Sequence, residues 1–180
     1  QKLELLDVPG EWFFDHESPS NTVYYMPRDG RDPNDLNIRM KTQPYAILCS
    51  GDDGVVVEGF DYFATTFRLD DCDGSEIRNS TLLYPSTSKR SLGYAGEDMD
   101  NRYVSRVDDC IGCLVDRCDF LYTDGAAFEA HGGASSSQNN TINNSYFYHI
   151  DWSGSDQKSL MTTIMTVSYT HLTLPTSKIV

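Results

Sequence analysis

A short pattern recurs four times between residues 52 and 148, and it constrains the fold more than any other feature of the sequence. Each copy has an aliphatic residue, a glycine or asparagine three positions before it, and a large apolar residue five positions after it. The aliphatic residues are Val57, Ile77, Val115 and Ile142. The turn residues are Gly54, Gly74, Gly112 and Asn139, and the large apolar residues are Tyr62, Leu82, Phe120 and Phe147. Short strands separated by a turn residue at a constant position predict a chain that stacks on itself in parallel coils.

A further strand is expected just before each repeat, and its candidates are residues 46–50, 66–70, 105–109 and 128–132. Because successive side chains of a strand point to opposite faces, alternate residues of these strands must face the core. The residues expected to face inward are Ile47, Cys49, Phe67, Leu69, Ser105, Val107, Phe128 and Ala130. The residues expected to face outward form two columns, Leu48, Arg68, Arg106 and Glu129 in one, and Ser50, Asp70, Asp108 and His131 in the other.

The segment NNTINNSYFYHI, with asparagine at the turn between two strands, resembles the right-handed parallel β-helix proteins of the pectate-lyase-like superfamily. Asparagine suits such turns because it tolerates left-handed backbone geometry and can hydrogen-bond along the stack. We therefore expect an all-β chain with about four to five coils of a right-handed parallel β-helix over residues 45–166. Residues 85–102 are expected to form a loop insertion.

Residues 1–44 are expected to form a separate β-hairpin element, because EWFFD and TVYYM have the composition of two strands joined by a polar turn. The stretch is similar to a small hairpin element of some β-helix glycoside hydrolases and their uncharacterised relatives. This resemblance implies a carbohydrate-active protein. The aromatic residues Trp12, Phe13, Tyr24 and Tyr25 are expected to form the core of the hairpin.

The outward columns contain the candidate catalytic residues Asp70, Asp108, Glu129, Arg68, Arg106 and His131. In many enzymes that the chain resembles, the outer face of this strand stack lines a polysaccharide groove. Asp70 and Asp108 would lie one coil apart, at about 4.8 Å, so repulsion should raise the pKa of the pair unless an arginine or a cation compensates. This pair, or either member with Glu129, fits glycoside hydrolysis, which uses one carboxylic acid and one carboxylate.

Two other functions remain open for the same residues. In a calcium-dependent polysaccharide lyase, the two aspartates would hold calcium and Arg68 or Arg106 would remove a sugar proton. In a non-catalytic glycan-binding or adhesion protein, the charges would only form a cross-strand ladder that keeps the protein surface soluble. Hydrolysis is favoured over elimination because so acidic a chain repels polyuronate. A hydrolase of this kind is expected to need no cofactor. Trp152 is the candidate sugar-stacking residue.

A net charge of -13 and a pI near 4.5 argue against nucleic acid and anionic membrane surfaces as partners. No apolar run approaches membrane-spanning length, so membrane insertion is not expected. The resemblance instead implies a polysaccharide partner and an extracellular or cell-surface protein that is a monomer when full length.

The five cysteines lie in or beside the repeats, and Cys72 and Cys110 occupy the same repeat position. Directly stacked coils would bring these two within disulfide range, although parallel side-chain directions often prevent closure. Cys110 and Cys113 form a CxxC motif, but no second pair accompanies it as a zinc site would require. We therefore expect the cysteines to face the core.

The ends of the chain do not look native. Residues 167–176, VSYTHLTLPT, match one reading frame of a transposase adapter used to prepare DNA sequencing libraries. We therefore expect residues 167–180 to be an adapter-derived tail, and we interpret nothing functional from them. The first residue is not methionine, and the chain is expected to be an internal piece of a longer protein that is inactive on its own.

Overall fold

The structure is a computed structural model, and it describes residues 3–15, 19–41, 43–86, 103–133, 135–150, 164–167, 172–173 and 178–179. Regular structure in these residues is almost entirely β-strand, which confirms the predicted all-β class. Two short 3-10 helices, Leu3–Leu5 and Pro33–Asp35, complete the regular elements described. Neither helix has the length or the apolar character needed to cross a membrane.

Residues Gln1–Met40 form one compact unit built on an antiparallel hairpin. Its strands β1 (Trp12–Asp15) and β2 (Thr22–Tyr25) correspond to the two strands expected from the sequence. The rings of Phe13 and Tyr24 stack with centroids 6.2 Å apart. Trp12 and Tyr24, however, are 57% and 36% exposed, so the expectation that they lie in the hairpin core is wrong. A two-stranded hairpin is too small to enclose all of its aromatic side chains.

Residues Lys41–Val180 form the second unit, which contains two sheets of parallel strands. The first sheet has five strands in the same order in space as in sequence. They are β3 (Tyr45–Ser50), β6 (Thr66–Asp70), β8 (Ser105–Asp108), β10 (Phe128–His131) and β13 (Ile164–Val167). The first four of these strands lie at the positions predicted before the repeats, whereas β13 is not one of the predicted strands.

The second sheet has eight strands. They are β4 (Val56–Glu58), β5 (Asp61–Phe63), β7 (Glu76–Leu83), β9 (Leu114–Thr123), β11 (Asn140–Asn143), β12 (Tyr146–Ile150), β14 (Leu172–Thr173) and β15 (Lys178–Ile179). The chain alternates between the two sheets and adds parallel strands to each in turn. Apolar side chains from both sheets, such as Leu69 of the first and Ile77 of the second, belong to one core.

Strand register confirms the alignment of the four repeats. Val57 pairs with Ile77, which pairs with Val115, which pairs with Ile142. The large apolar residues pair in the same way, in the order Tyr62, Leu82, Phe120 and Phe147. All eight side chains are buried and belong to one apolar core.

Left-handed backbone at the corners also follows the repeat. The turn residues Gly54, Gly74 and Asn139 have φ of 67°, 62° and 55°. Asn79 and Asn144, between the two strand segments of their repeats, have φ of 50° and 48°. Asparagine therefore occupies the tight turns in the conformation predicted for it.

The last strands of both sheets lie in or beside the segment expected to derive from an adapter. Strand β13 pairs with β10, β14 with β11, and β15 with β12, all in parallel. Strand pairing does not test where a segment comes from, so the adapter origin stays a prediction. Most of the predicted insertion, residues 87–102, lies outside the described residues.

Candidate functional site

The candidate site lies on the outer side of the first sheet, where strand register forms the two predicted columns. One column runs through Leu48, Arg68, Arg106 and Glu129. The other runs through Ser50, Asp70, Asp108 and His131. The predicted inward residues of the same strands are buried, except for Ile47, which is half-buried against the core. The pleat therefore separates an apolar side from a charged side, as strand alternation requires.

Arg68 bridges the two aspartates of neighbouring strands. Its Nη2 donates a hydrogen bond of 2.8 Å to Oδ2 of Asp70. Its Nε lies 2.9 Å from Oδ2 of Asp108, but off the hydrogen-bond direction, so this contact is an ion pair without a hydrogen bond. Arg106 Nε donates to Oδ1 of Asp108 at 3.1 Å. The two arginines thus supply the compensating charge that adjacent aspartates need.

Two of the carboxylates are far more buried than an outer face implies. The side chains of Asp108 and Glu129 are 6% and 1% exposed. Both residues lie in the columns expected to face away from the apolar core, and neighbouring side chains enclose them. Burial raises the pKa of Asp108, and the charges of Arg106 and Arg68 offset this only in part. The protonated form of Asp108 therefore persists above the usual range of an aspartate.

His131 joins the two columns. Its Nδ1 lies 3.3 Å from Nη2 of Arg106, and its Nε2 lies 3.0 Å from Oε2 of Glu129. Since a guanidinium can only donate, Nδ1 must accept, and we assign the imidazole proton to Nε2. A neutral His131 then satisfies the arginine on one side and donates to the buried glutamate on the other.

All six candidate catalytic residues therefore belong to one connected group, which we call the charged cluster: Arg68, Asp70, Arg106, Asp108, Glu129 and His131. Within it, Asp70 is 34% exposed while Asp108 is nearly buried. Two adjacent carboxyl groups in such different surroundings can divide the roles of proton donor and carboxylate.

A group of aromatic rings on the second sheet was missed from the sequence. We call it the aromatic column, and it consists of Phe63, Tyr84, Tyr122, Tyr148 and His149. Ring centroids are 5.9 Å apart between Phe63 and Tyr84, 5.8 Å between Tyr84 and Tyr122, and 5.0 Å between Tyr122 and His149. The Tyr122 and His149 rings are parallel within 4°, and Tyr148 meets His149 edge-on at 4.1 Å.

The aromatic column combines exposure with an unusual backbone. Phe63 and Tyr84 are 44% and 40% exposed. Tyr84, Tyr122 and His149 have φ of 56°, 55° and 51°, in the left-handed region that bulky residues rarely adopt. A signal for these three residues was present, because each lies seven positions after the aliphatic residue of its repeat.

The remaining predictions concern stacking residues and metals. Trp152, the predicted sugar-stacking residue, lies outside the described residues. Within the described ranges, histidine, cysteine, aspartate and glutamate side chains form no group of three or more that could hold a metal ion.

Fold and site together define the protein as an all-β chain of stacked parallel strands with a charged cluster on one outer face. No family model, curated protein or solved structure matches the chain. Its function must therefore be argued from the residues themselves.

Proposed function

We propose that the chain is part of a right-handed parallel β-helix protein that hydrolyses polysaccharide at the charged cluster, outside the cell or at its surface. The observation that carries this proposal is the pairing of a nearly buried Asp108 with a partly exposed Asp70 in register on the next strand. Glycosidases need such a pair, with one carboxyl protonated and the other ionised.

In the proposed mechanism, Asp108 is the general acid and Asp70 is the nucleophile. Side chains in register on neighbouring parallel strands lie about 5 Å apart, which is the separation of the two carboxyl groups in retaining glycosidases. Asp108 protonates the leaving glycosidic oxygen while Asp70 attacks the anomeric carbon. Water then attacks the glycosyl-enzyme, with Asp108 as base, and releases Asp70. Arg68, which contacts both carboxylates, holds the pair in place.

Asp108→Asn should lower the rate of reducing-end release from polysaccharide by at least about 100-fold, because it removes the general acid. The assay uses the protein expressed from its complete gene and a panel of neutral and acidic polysaccharides. Since burial raises the pKa of Asp108, the wild-type rate should persist above the usual aspartate range and fall on the alkaline side as Asp108 loses its proton.

Asp116→Asn is the matched control, because Asp116 is also a buried carboxylate that pairs with an arginine, but it lies on the second sheet. Equal rates for the two variants, or a wild type that releases no reducing ends, would contradict hydrolysis at the cluster. Products that absorb in the ultraviolet would instead identify a lyase.

The aromatic column favours a second candidate function, the binding of glycan without cleavage. Tyr84 is exposed and Tyr122 and Tyr148 are half-buried, and a tyrosine ring offers an apolar face with a polar edge, which suits the faces and hydroxyl groups of sugars. The rings follow one another at 5.0 to 5.9 Å along the stacked strands, so successive sugar units of one chain could contact successive rings.

Tyr122→Asn should weaken retention on insoluble polysaccharide by about 5-fold, because it removes the central ring, whose contact is worth about 1 kcal/mol. Asparagine is chosen because it tolerates the left-handed backbone at this position. Tyr24→Asn in the hairpin unit removes a partly exposed tyrosine elsewhere and should leave binding unchanged. Equal binding by both variants would exclude the column as the glycan site.

A further inference from the structure

Two cysteine side chains approach each other closely inside the second unit. The Sγ atoms of Cys49 and Cys72 lie 2.9 Å apart, and both side chains are buried. A disulfide bond is about 2.05 Å long, so a shift of less than 1 Å would join them. Both residues carry free thiols in this structure.

The path of the chain explains why these two cysteines meet. Cys49 lies near the end of β3, in register with Leu69 of β6. Three residues after Leu69, the chain has passed the left-handed corner at Asp71, where φ is 54°, and Cys72 enters the core. The Cys49 thiol therefore projects from strand β3 and the Cys72 thiol from the segment that follows strand β6, and the two thiols meet in the core.

The alternative partner of Cys72 is less well placed. Cys110 occupies the equivalent position in the next repeat, where in-register side chains point in the same direction. Accordingly, Cys110 Sγ accepts a hydrogen bond from the backbone N–H of Cys72 at 3.2 Å. Cys113 Sγ donates to the carbonyl oxygen of Cys72 at 2.9 Å. Both of these sulfur atoms approach Cys72 at its backbone and hydrogen-bond each other, whereas Cys49 Sγ meets the Cys72 thiol.

We propose that Cys49 and Cys72 form a disulfide bond when the protein folds in an oxidising compartment. A thiolate of one cysteine attacks glutathione disulfide, which gives a mixed disulfide and releases one glutathione thiolate. The second cysteine, as thiolate, then attacks the protein sulfur of the mixed disulfide and releases the second glutathione. The protein loses two thiol protons and two electrons, and one glutathione disulfide becomes two glutathione molecules. This inference is independent of the proposed hydrolysis.

The cross-link would tie down the outermost described strand of the first sheet. Strand β3 has a parallel partner on one side only, which is β6. A bond between cysteines 23 positions apart would restrict the unfolded chain and fasten β3 to the next turn. Burial raises the pKa of the Cys49 thiol to about 11, so exchange in the folded state is slow and the bond forms during folding.

The test is to refold the protein in a glutathione buffer poised either oxidising or reducing, and then to alkylate free thiols and map the peptides by mass spectrometry without reduction. The oxidised protein should show a cross-linked peptide pair containing Cys49 and Cys72, with Cys118 alkylated. Its melting temperature should exceed that of the reduced protein by about 10 °C.

Cys49→Ser should abolish both the cross-link and the difference in melting temperature. Cys118→Ser is the matched control, since Cys118 is also buried and its thiol donates to backbone carbonyl oxygens, and it should keep both. Five alkylated cysteines in the oxidised wild type, or a pair formed by Cys72 with Cys110, would overturn the proposal. The mapping on wild type decides the question even if a variant fails to fold.

Discussion

Replacing Phe120 with alanine should lower the free energy of unfolding by about 3–5 kcal/mol. Phe120 is fully buried, and its ring stacks on Phe147 with centroids 5.0 Å apart and planes within 6°. It also pairs in register with Leu82 on the other neighbouring strand. Alanine would remove these contacts and leave a cavity among the three paired strands β7, β9 and β12, which rigid parallel strands cannot close. Urea denaturation followed by circular dichroism measures the change.

Phe63→Ala is the matched control for this prediction. Phe63 lies on the same sheet but is 44% exposed, so its removal creates no closed cavity. We expect it to cost about 1 kcal/mol or less. Equal losses for the two variants would mean that Phe120 does not lie in the core that the repeats predict.

The core and the strand register could be predicted because they depend on local spacing. The repeat places Val57, Ile77, Val115 and Ile142 at one position of successive turns, and parallel strands pair equivalent positions. Alternation along each strand then decides which residues face the core. The two charged columns follow from the same two rules, which is why their register was predicted together with the core.

The environment of the charged columns could not be predicted in the same way. Alternation tells on which side of a sheet Asp108 and Glu129 lie, but not how closely their neighbours on that side enclose them. The enclosure depends on how Arg68, Arg106 and His131 fold over the carboxylates. Such side-chain conformations are set by mutual ion pairs rather than by sequence spacing.

The cysteine contact is another feature that spacing does not encode. Equivalent repeat positions suggested Cys110 as the neighbour of Cys72, because register was the only available guide. The thiol of Cys72 instead meets Cys49, which is not at an equivalent position. The left-handed backbone at Asp71 sets the direction in which the chain enters the core, and a repeat alignment does not give that direction.

The second large effect is expected at Asn140, a buried polar residue that links strand β11 to the segment Cys110–Cys113 before strand β9. Its Oδ1 accepts the backbone N–H of Cys113 at 2.9 Å, and its Nδ2 donates to the carbonyl oxygen of Cys110 at 2.8 Å. Nδ2 also lies 3.1 Å from Oγ of Ser137. Asn140→Ala would leave the N–H of Cys113 buried without this acceptor and remove a donor from the carbonyl. We expect a loss of about 3 kcal/mol in the free energy of unfolding.

Asn143→Ala tests whether this loss reflects the buried hydrogen bonds or any asparagine of strand β11. Asn143 lies on the same strand but is only half-buried, so we expect a loss of about 1 kcal/mol or less. Urea denaturation of both variants provides the comparison, and amide hydrogen exchange at Cys113 provides a local readout. If Asn140→Ala and Asn143→Ala lose the same free energy of unfolding, and exchange at Cys113 is unchanged, Asn140 does not link β11 to the segment before β9. If the exchange rate at Cys113 rises together with the stability loss, the Asn140 side-chain amide is the link. The Cys113 N–H that it accepts would then have lost its hydrogen bond.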